Sequence, residues 1–293
     1  MRSKIMIVCL LAVMVACNSH DSGKTSNVLT GSEANIWYVA GLDNSTTPSE
    51  WLSGLELNKL FGIAFKPILS GEFKVHSPNQ HYFIDEVVSL DKIRENLGWK
   101  PGVTNYDEIR EIFFHEKWSV SNDFKSFKKD IEFWCPVRVW NPNENSQEVY
   151  KRKCFYVKPK SDKKGTPVGK GVFTEFDFSN PSSYPFWYGL DPHNFSNMIL
   201  DKIQKGEIKI YDPVYLVDKS TIKLNSEQLE KLIGESLNSD NLRNNIWSFI
   251  FEEDWYIDQT SLNIYKDVKS IGFVKKYWEN GEQKSKILFF WKP

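Results

Sequence analysis

The sequence has no excess of charge of either sign. Its 37 basic and 38 acidic residues leave a net charge of −1 at pH 7. A balanced chain has no general electrostatic attraction for polyanions, so its composition gives no support to a role in binding nucleic acid. After the first 20 residues, no apolar run reaches the ~20 residues that a membrane-spanning helix needs.

Residue patterns typical of enzymes are also scarce. No two of the five histidines have metal-ligand spacing, and no G-x-S-x-G elbow occurs. The densest carboxylate cluster is Glu252-Glu253-Asp254, which we interpret as solvated surface. We therefore predict no catalytic residue, no metal site and no cofactor. An envelope hydrolase that uses Glu253 and Asp254 is the alternative, because a glycosidase needs two convergent carboxylates.

The N-terminus has the pattern of an export signal. Arg2 and Lys4 precede an apolar run over residues 5–16 that is too short to span a membrane. The run ends in Val-Ala-Cys17 and resembles a bacterial lipobox, in which the cysteine receives the lipid. We predict a signal peptide over residues 1–16, lipidation of Cys17, and a flexible Ser- and Asn-rich tether over residues 17–33.

Only two cysteines remain after processing, Cys135 and Cys154, and export would place them in an oxidising compartment. They lie almost equidistant from a predicted hairpin turn near residue 144. Residues directly opposite each other on antiparallel strands approach disulfide distance, so we predict a Cys135–Cys154 bond. Two buried free thiols are the alternative.

The chain repeats itself at long range. Five landmarks recur in the same order, with offsets of 135, 137, 137, 137 and 134 residues; they are residues 70–75 with 205–210, 89–93 with 226–229, 115–118 with 252–255, 127–131 with 264–268, and 154–159 with 288–293. A period this long indicates a duplicated domain. We predict modules at residues 34–160 and 184–293, joined by a linker at 161–183.

The second module shows its plan most clearly. Asp191-Pro192 is a helix start, and Gly206 is a helix stop. A second short helix follows, and aromatic and β-branched runs then predict strands, with Asn280-Gly281 as a hairpin turn. We therefore predict an α+β fold of two similar modules, each with two short helices packed on a roughly three-stranded antiparallel sheet.

The C-terminal 100 residues resemble the gliding-motility protein GldN (PorN) family. The shared motifs are a helix that ends in a glycine turn, an E-D-W strand, a strand with an internal glycine, and an L-F-W-x-x-P-like ending. The residues that match are Gly206, Glu253, Asp254, Trp255, Gly272, Trp291 and Pro293. The resemblance extends more faintly to residues 50–160 through the duplication.

The resemblance implies a non-enzymatic part of the type IX secretion and gliding machinery, whose partners are envelope proteins. Together with the lipobox it predicts a scaffold or adaptor, lipid-anchored at the outer membrane and facing the periplasm, with the cell surface as the alternative location. A second hypothesis is an outer-membrane lipoprotein that binds carbohydrate or peptide. That hypothesis predicts a row of exposed aromatic side chains on one sheet face.

Overall fold

The computed structural model describes residues 33–42, 52–78, 86–100, 104–141, 148–179, 186–214 and 222–293. The predicted signal peptide and Cys17 lie outside these residues, as does nearly all of the predicted tether. The fold is mostly strand, with 45% strand and 21% helix. The described residues form two antiparallel sheets, one of five strands and one of six.

Sheet A is built mainly by the N-terminal unit, which we define as residues 34–157. Its strand order is β4-β3-β2-β1-β6. The elements in chain order are β1 (Ala34–Gly41), α1 (Leu57–Leu69), α2 (Leu90–Leu97), β2 (Ile109–Val120), β3 (Phe127–Trp140) and β4 (Tyr150–Lys153). The fifth strand, β6, belongs to the second half of the chain.

Sheet B is built by the C-terminal unit, residues 166–291, with strand order β5-β9-β10-β11-β7-β8. Its strands are β5 (Thr166–Asp177), β7 (Ile210–Tyr211), β8 (Lys223–Leu224), β9 (Ile246–Ile257), β10 (Ile264–Glu279) and β11 (Glu282–Trp291). The remaining elements of this unit are β6 (Phe186–Tyr188), α3 (Pro192–Gln204), α4 (Ser226–Ile233) and α5 (Asp240–Arg243).

The prediction of an α+β fold with three-stranded modules was wrong. Both sheets contain a long first strand, β1 or β5, that the predicted three-stranded modules did not include, and short strands extend each sheet further. Strand β1 alternates buried and half-buried residues along its whole length, which is the period-2 pattern of a strand with one covered face. Strand β5 lies within the range predicted as a linker.

The two units nevertheless follow the same order. Each runs from a first strand through a mainly helical region to three antiparallel strands, and the sheet orders β1-β2-β3-β4 and β5-β9-β10-β11 are equivalent. The landmark pairs at 115–118 and 252–255 fall on the equivalent strands β2 and β9. Those at 127–131 and 264–268 fall on β3 and β10.

Local signals were reliable where the chain turns. Asn280 and Gly281 have positive φ of 53° and 81° and join paired residues Glu279 and Glu282, so the predicted hairpin turn is confirmed. The predicted helix start is also confirmed, because the Asp191 side chain accepts a hydrogen bond from the Asn194 backbone. Helix α1 instead begins after Glu56 without a side-chain cap.

One apolar core joins the two units. The cluster contains residues from both sheets and from α1, α2, α3 and α4. Four tryptophans of the described part of the chain are fully buried: Trp118, Trp134, Trp255 and Trp291. The indole of Trp134 on β3 donates a 2.9 Å hydrogen bond to the Leu262 carbonyl, just before β10. The two sheets therefore share one interior.

Candidate functional site

Two ion pairs lie inside the shared core, between the two sheets. Lys266 Nζ on β10 is 2.7 Å from Glu116 Oε1 on β2, and Lys129 Nζ on β3 is 2.6 Å from Glu253 Oε1 on β9. All four side chains have no exposed surface. Each pair joins one unit to the other, so the glutamate of each landmark, Glu116 or Glu253, acts between the sheets.

The Glu116 carboxylate is the more fully hydrogen-bonded of the two. It accepts hydrogen bonds from Tyr38 Oη at 3.0 Å, Trp118 Nε1 at 2.6 Å and Lys266 Nζ at 2.7 Å. Lys266 Nζ also donates to Tyr38 Oη at 2.6 Å. Burial opposes ionisation of Glu116, but the charges of Lys266 and Lys129 outweigh it and lower the pKa of this carboxyl.

The Glu253 carboxylate has an equivalent set of neighbours. It accepts from Trp255 Nε1 at 2.9 Å and from Thr174 Oγ1 at 3.2 Å. Lys129 meets the other carboxylate oxygen as an ion pair whose angles fall outside hydrogen-bond geometry. Burial lowers the pKa of Lys129, and the nearby Glu253 and Glu116 carboxylates only partly oppose that shift.

Aromatic rings complete both sites. Lys129 Nζ lies 3.2 Å from the ring centre of Phe251, and Lys266 Nζ lies 3.3 Å from that of Phe114. A desolvated cation over an aromatic face is attracted to it. The two sites therefore contain the same kinds of groups in the same arrangement, and each site combines residues of both units.

The remaining family-motif residues are held by hydrogen bonding, a helix end or close packing. Asp254 accepts a hydrogen bond from the Gly171 backbone at 2.9 Å. Gly206 ends α3 with φ of +70°, and a side chain on Gly272 would meet the Phe290 ring at 2.7 Å. Trp291 is fully buried against Phe124 and Phe195, and Pro293 is half-buried at the chain end.

Glu253 and Asp254 do not converge on a cleft. They are neighbours on β9, where successive side chains point to opposite faces. Glu253 is fully buried, whereas Asp254 lies beside Lys269 at 3.6 Å and the Gly171 backbone. The interpretation of Glu253 as solvated surface was therefore wrong. Among the described residues, no group of three His, Cys, Asp or Glu side chains could hold a metal ion.

The structure has Cys135 and Cys154 as free, buried thiols and not as the predicted disulfide. Val137 pairs with Lys153, so Cys154 aligns with Pro136 and not with Cys135. A one-residue difference in register moves a side chain to the other face of a sheet. The two cysteines accordingly lie in different apolar clusters.

Aromatic side chains reach solvent at several places among the described residues, and two of these places bear on function. Trp278 is 73% exposed on the β10–β11 hairpin, where residues 276–285 of the two strands pair with each other beyond the end of β9. On sheet A, the half-buried Trp37, His115 and Phe133 lie side by side on β1, β2 and β3. The Trp37 and His115 rings stack at 4.3 Å.

Sequence patterns did not single out Glu116, Lys129 and Lys266 as site residues, although all three lie inside recognised landmarks. The available signal was identity between the copies. Glu116 matches Glu253, Trp118 matches Trp255, and Lys129 matches Lys266, each at the same separation. Identical charged residues at equivalent strand positions can pair across a two-fold arrangement, which comparison of the copies would have suggested.

The fold and the site define a protein of two packed antiparallel sheets whose most buried charged groups hold sister units together. Residues 162–292 match the family described as gliding motility associated protein GldN. The match agrees with the resemblance that the sequence of this region indicated. The match covers the C-terminal unit and leaves the N-terminal unit outside it.

A search of curated proteins found no significant match to the chain. The described helices are all too short, or too polar, to cross a membrane.

Proposed function

We propose that the chain is a non-enzymatic envelope component of the type IX secretion and gliding machinery, anchored to the outer membrane by lipid on Cys17, and that it acts by binding other envelope proteins. The proposal rests on the GldN-family match and on the role of the family-motif charges. Glu253 and its neighbour Trp255 stabilise the packing of two sheets, which is the work of a scaffold.

The β10–β11 hairpin is the contact surface that we assign to an envelope partner. Trp278 is the most exposed tryptophan of the described residues, and Lys284 and Lys286 lie on the facing strand. Exposed tryptophan is enriched among residues that dominate binding energy in protein interfaces. Glu279 lies 3.4 Å from Lys284, so the hairpin carries charges of both signs beside its exposed tryptophan. A partly apolar protein surface with charges of both signs would match this hairpin in chemistry.

This role is tested by replacing the wild-type gene in the native organism with genes for single-residue variants. Chains with Trp278→Ala should lose most recovery of envelope machinery in pull-downs after crosslinking, and secretion and gliding should fall with it. Tyr188→Ala is the matched control, because Tyr188 is 75% exposed on β6, away from the hairpin. Normal secretion and gliding after gene deletion, with no machinery recovered by the wild-type chain, would remove the proposal.

The lipid anchor is tested separately. Cells fed a labelled fatty acid should label the wild-type chain and not Cys17→Ala, and the mature product should begin at residue 17. A labelled Cys17→Ala chain, or a different mature N-terminus, would contradict the anchor without affecting the binding role.

The aromatic row of Trp37, His115 and Phe133 favours a second candidate function, the binding of carbohydrate or peptide. Sugar binding usually needs an open ring face, but the stacked His115 covers one face of Trp37. The row therefore fits an apolar peptide better than a sugar. A glycan array without hits, and peptide binding unaffected by Trp37→Ala, would dismiss this candidate.

A further inference from the structure

We infer that the inner face of each unit is a self-complementary recognition surface whose natural occupant is a second unit of the same kind, and that this chain is a fused pair. We define the inner face by one acid, one base and their aromatic neighbours. These are Phe114, Glu116, Trp118 and Lys129 on the N-terminal unit, and Phe251, Glu253, Trp255 and Lys266 on the C-terminal unit.

The first observation that supports self-complementarity is the arrangement of charges on the two inner faces. Each face presents one carboxylate and one ammonium group, and each carboxylate meets the ammonium group of the other face. A surface of this kind matches a copy of itself when the two are related by a two-fold axis. The cation–ring contacts are reciprocal too: Lys129 lies 3.2 Å from the Phe251 ring of the other unit, and Lys266 lies 3.3 Å from the Phe114 ring of the other unit.

The backbone pairing between the two units is reciprocal in the same way. Strand β6, which precedes α3, pairs with β1 of the other unit, Ile36 opposite Trp187. The segment Gly54-Leu55-Glu56, which precedes α1, pairs with β5 of the other unit: Leu55 bridges Gly169, and Glu56 N donates to Val168 O. The same step of each unit therefore crosses to the first strand of its sister.

The sequence supports this exchange. Gly54-Leu55-Glu56 and Gly189-Leu190-Asp191 are equivalent tripeptides, each directly before a helix and separated like the landmarks at residues 70–75 and 205–210. Exchange of identical elements between protomers is the usual route to a swapped dimer. In this chain the two protomers are joined end to end.

The charge pattern of the inner face identifies its occupant. The family match covers one unit, residues 162–292 of this chain. A lone unit would leave Glu253, Lys266, Phe251 and Trp255 uncovered, and only a partner with the same charge pattern satisfies both charged groups at once. A second unit has that pattern. This inference does not depend on the proposed envelope role.

A cut chain provides the test. A protease recognition sequence inserted between the exposed Asp162 and Lys163 allows the folded, full-length protein to be cleaved between its units. Cut protein with an affinity tag on the C-terminal fragment is mixed with untagged cut protein in mild denaturant and returned to buffer. Self-complementarity predicts that the tagged fragment captures untagged C-terminal fragments as well as N-terminal ones, in particles of two fragments by native mass measurement.

A charge variant tests whether the capture uses the inner face. Glu253→Lys on the tagged fragment should lower its capture of C-terminal fragments about tenfold or more, because a like-charge contact replaces an ion pair. Glu279→Lys makes the same charge change on the exposed hairpin and should leave capture unchanged. Capture of N-terminal fragments alone, or of neither fragment, would overturn the inference, and so would C-terminal capture that is indifferent to Glu253→Lys.

Discussion

The two inner-face sites have the same design but unequal hydrogen bonding. In one, Tyr38 donates to Glu116 and accepts from Lys266, so the acid and the base share a third group. In the other, Thr174 takes the place of Tyr38 and reaches only Glu253, at 3.2 Å. The shorter threonine forms no hydrogen bond with Lys129, whose nearest contacts are the Glu253 carboxylate and the Phe251 ring. Duplicated sites can thus keep their ion pair while the surrounding hydrogen bonds diverge.

Removal of one acid should reveal this inequality most strongly. Glu116→Gln leaves Lys266 charged and buried without its counter-ion, and loss of one member of a buried pair typically costs about 3–5 kcal/mol. Glu253→Gln should cost less, since Glu253 has fewer donors around it. Urea unfolding of both variants measures the difference. Equal losses would show that Tyr38 adds nothing to the first site.

A second difference concerns the strand positions held by Gly272 and Cys135, which are equivalent in the two units. A methyl group on Gly272 would lie 2.7 Å from the Phe290 ring, whereas Cys135 already carries a buried side chain. Gly272→Ala should destabilise by about 1–3 kcal/mol through overpacking. Gly62→Ala is the control, because its added methyl meets nothing within 4 Å on α1. An unchanged urea midpoint for Gly272→Ala would contradict the close packing of Phe290.

A third difference is a titratable pair of equivalent positions, His115 on β2 and Glu252 on β9. Burial lowers the pKa of His115 to about 4, although Glu132 and Glu116 oppose that shift. The unfolded chain would take up this proton near pH 6.5, so unfolding binds a proton between pH 6.5 and 4. The contribution of His115 to the free energy of unfolding should therefore fall as the pH drops from 6.5 to 4.

His115→Gln should flatten this part of the stability profile, and His193→Gln serves as the comparison because that histidine is less strongly shifted. Thermal unfolding at several pH values, with a nuclear magnetic resonance titration of the ring, measures the effect. A His115 that titrates near 6.5 in the folded protein would refute its burial against Trp37.

The smallest effect is expected when the folded protein is treated with an alkylating reagent at Cys135 and Cys154. The C-terminal unit has no cysteine at the equivalent positions. Burial raises the pKa of Cys154 to about 12 and that of Cys135 further still. A thiolate is the reactive form, so neither should react with iodoacetamide in the folded protein, and both should react after unfolding without reductant. Mass spectrometry counts the added groups. Failure to label after unfolding, reversed by reductant, would restore the disulfide prediction.

Local chemistry made part of this structure predictable. Asp191 before Pro192 and the Asn280-Gly281 pair act within a few residues, so their helix start and turn could be derived from the sequence. The sheets could not, because the partners of β1 and β5 lie far along the chain and include Trp187 and Leu55 from the opposite unit. The disulfide prediction failed in the structure for a related reason, since a single residue of register decides which face a cysteine occupies.

The crossing segments have a consequence for how the protein is made. Sheet A cannot acquire β6 until residue 188 has been synthesised, and Glu116 has no counter-ion until Lys266 follows. The aromatic inner face of the N-terminal unit therefore stays exposed to solvent until the second half of the chain has been synthesised. Intermediates of this kind aggregate or bind chaperones. Folding of this protein should be slow, dominated by late long-range contacts, and completed only when the final strands arrive.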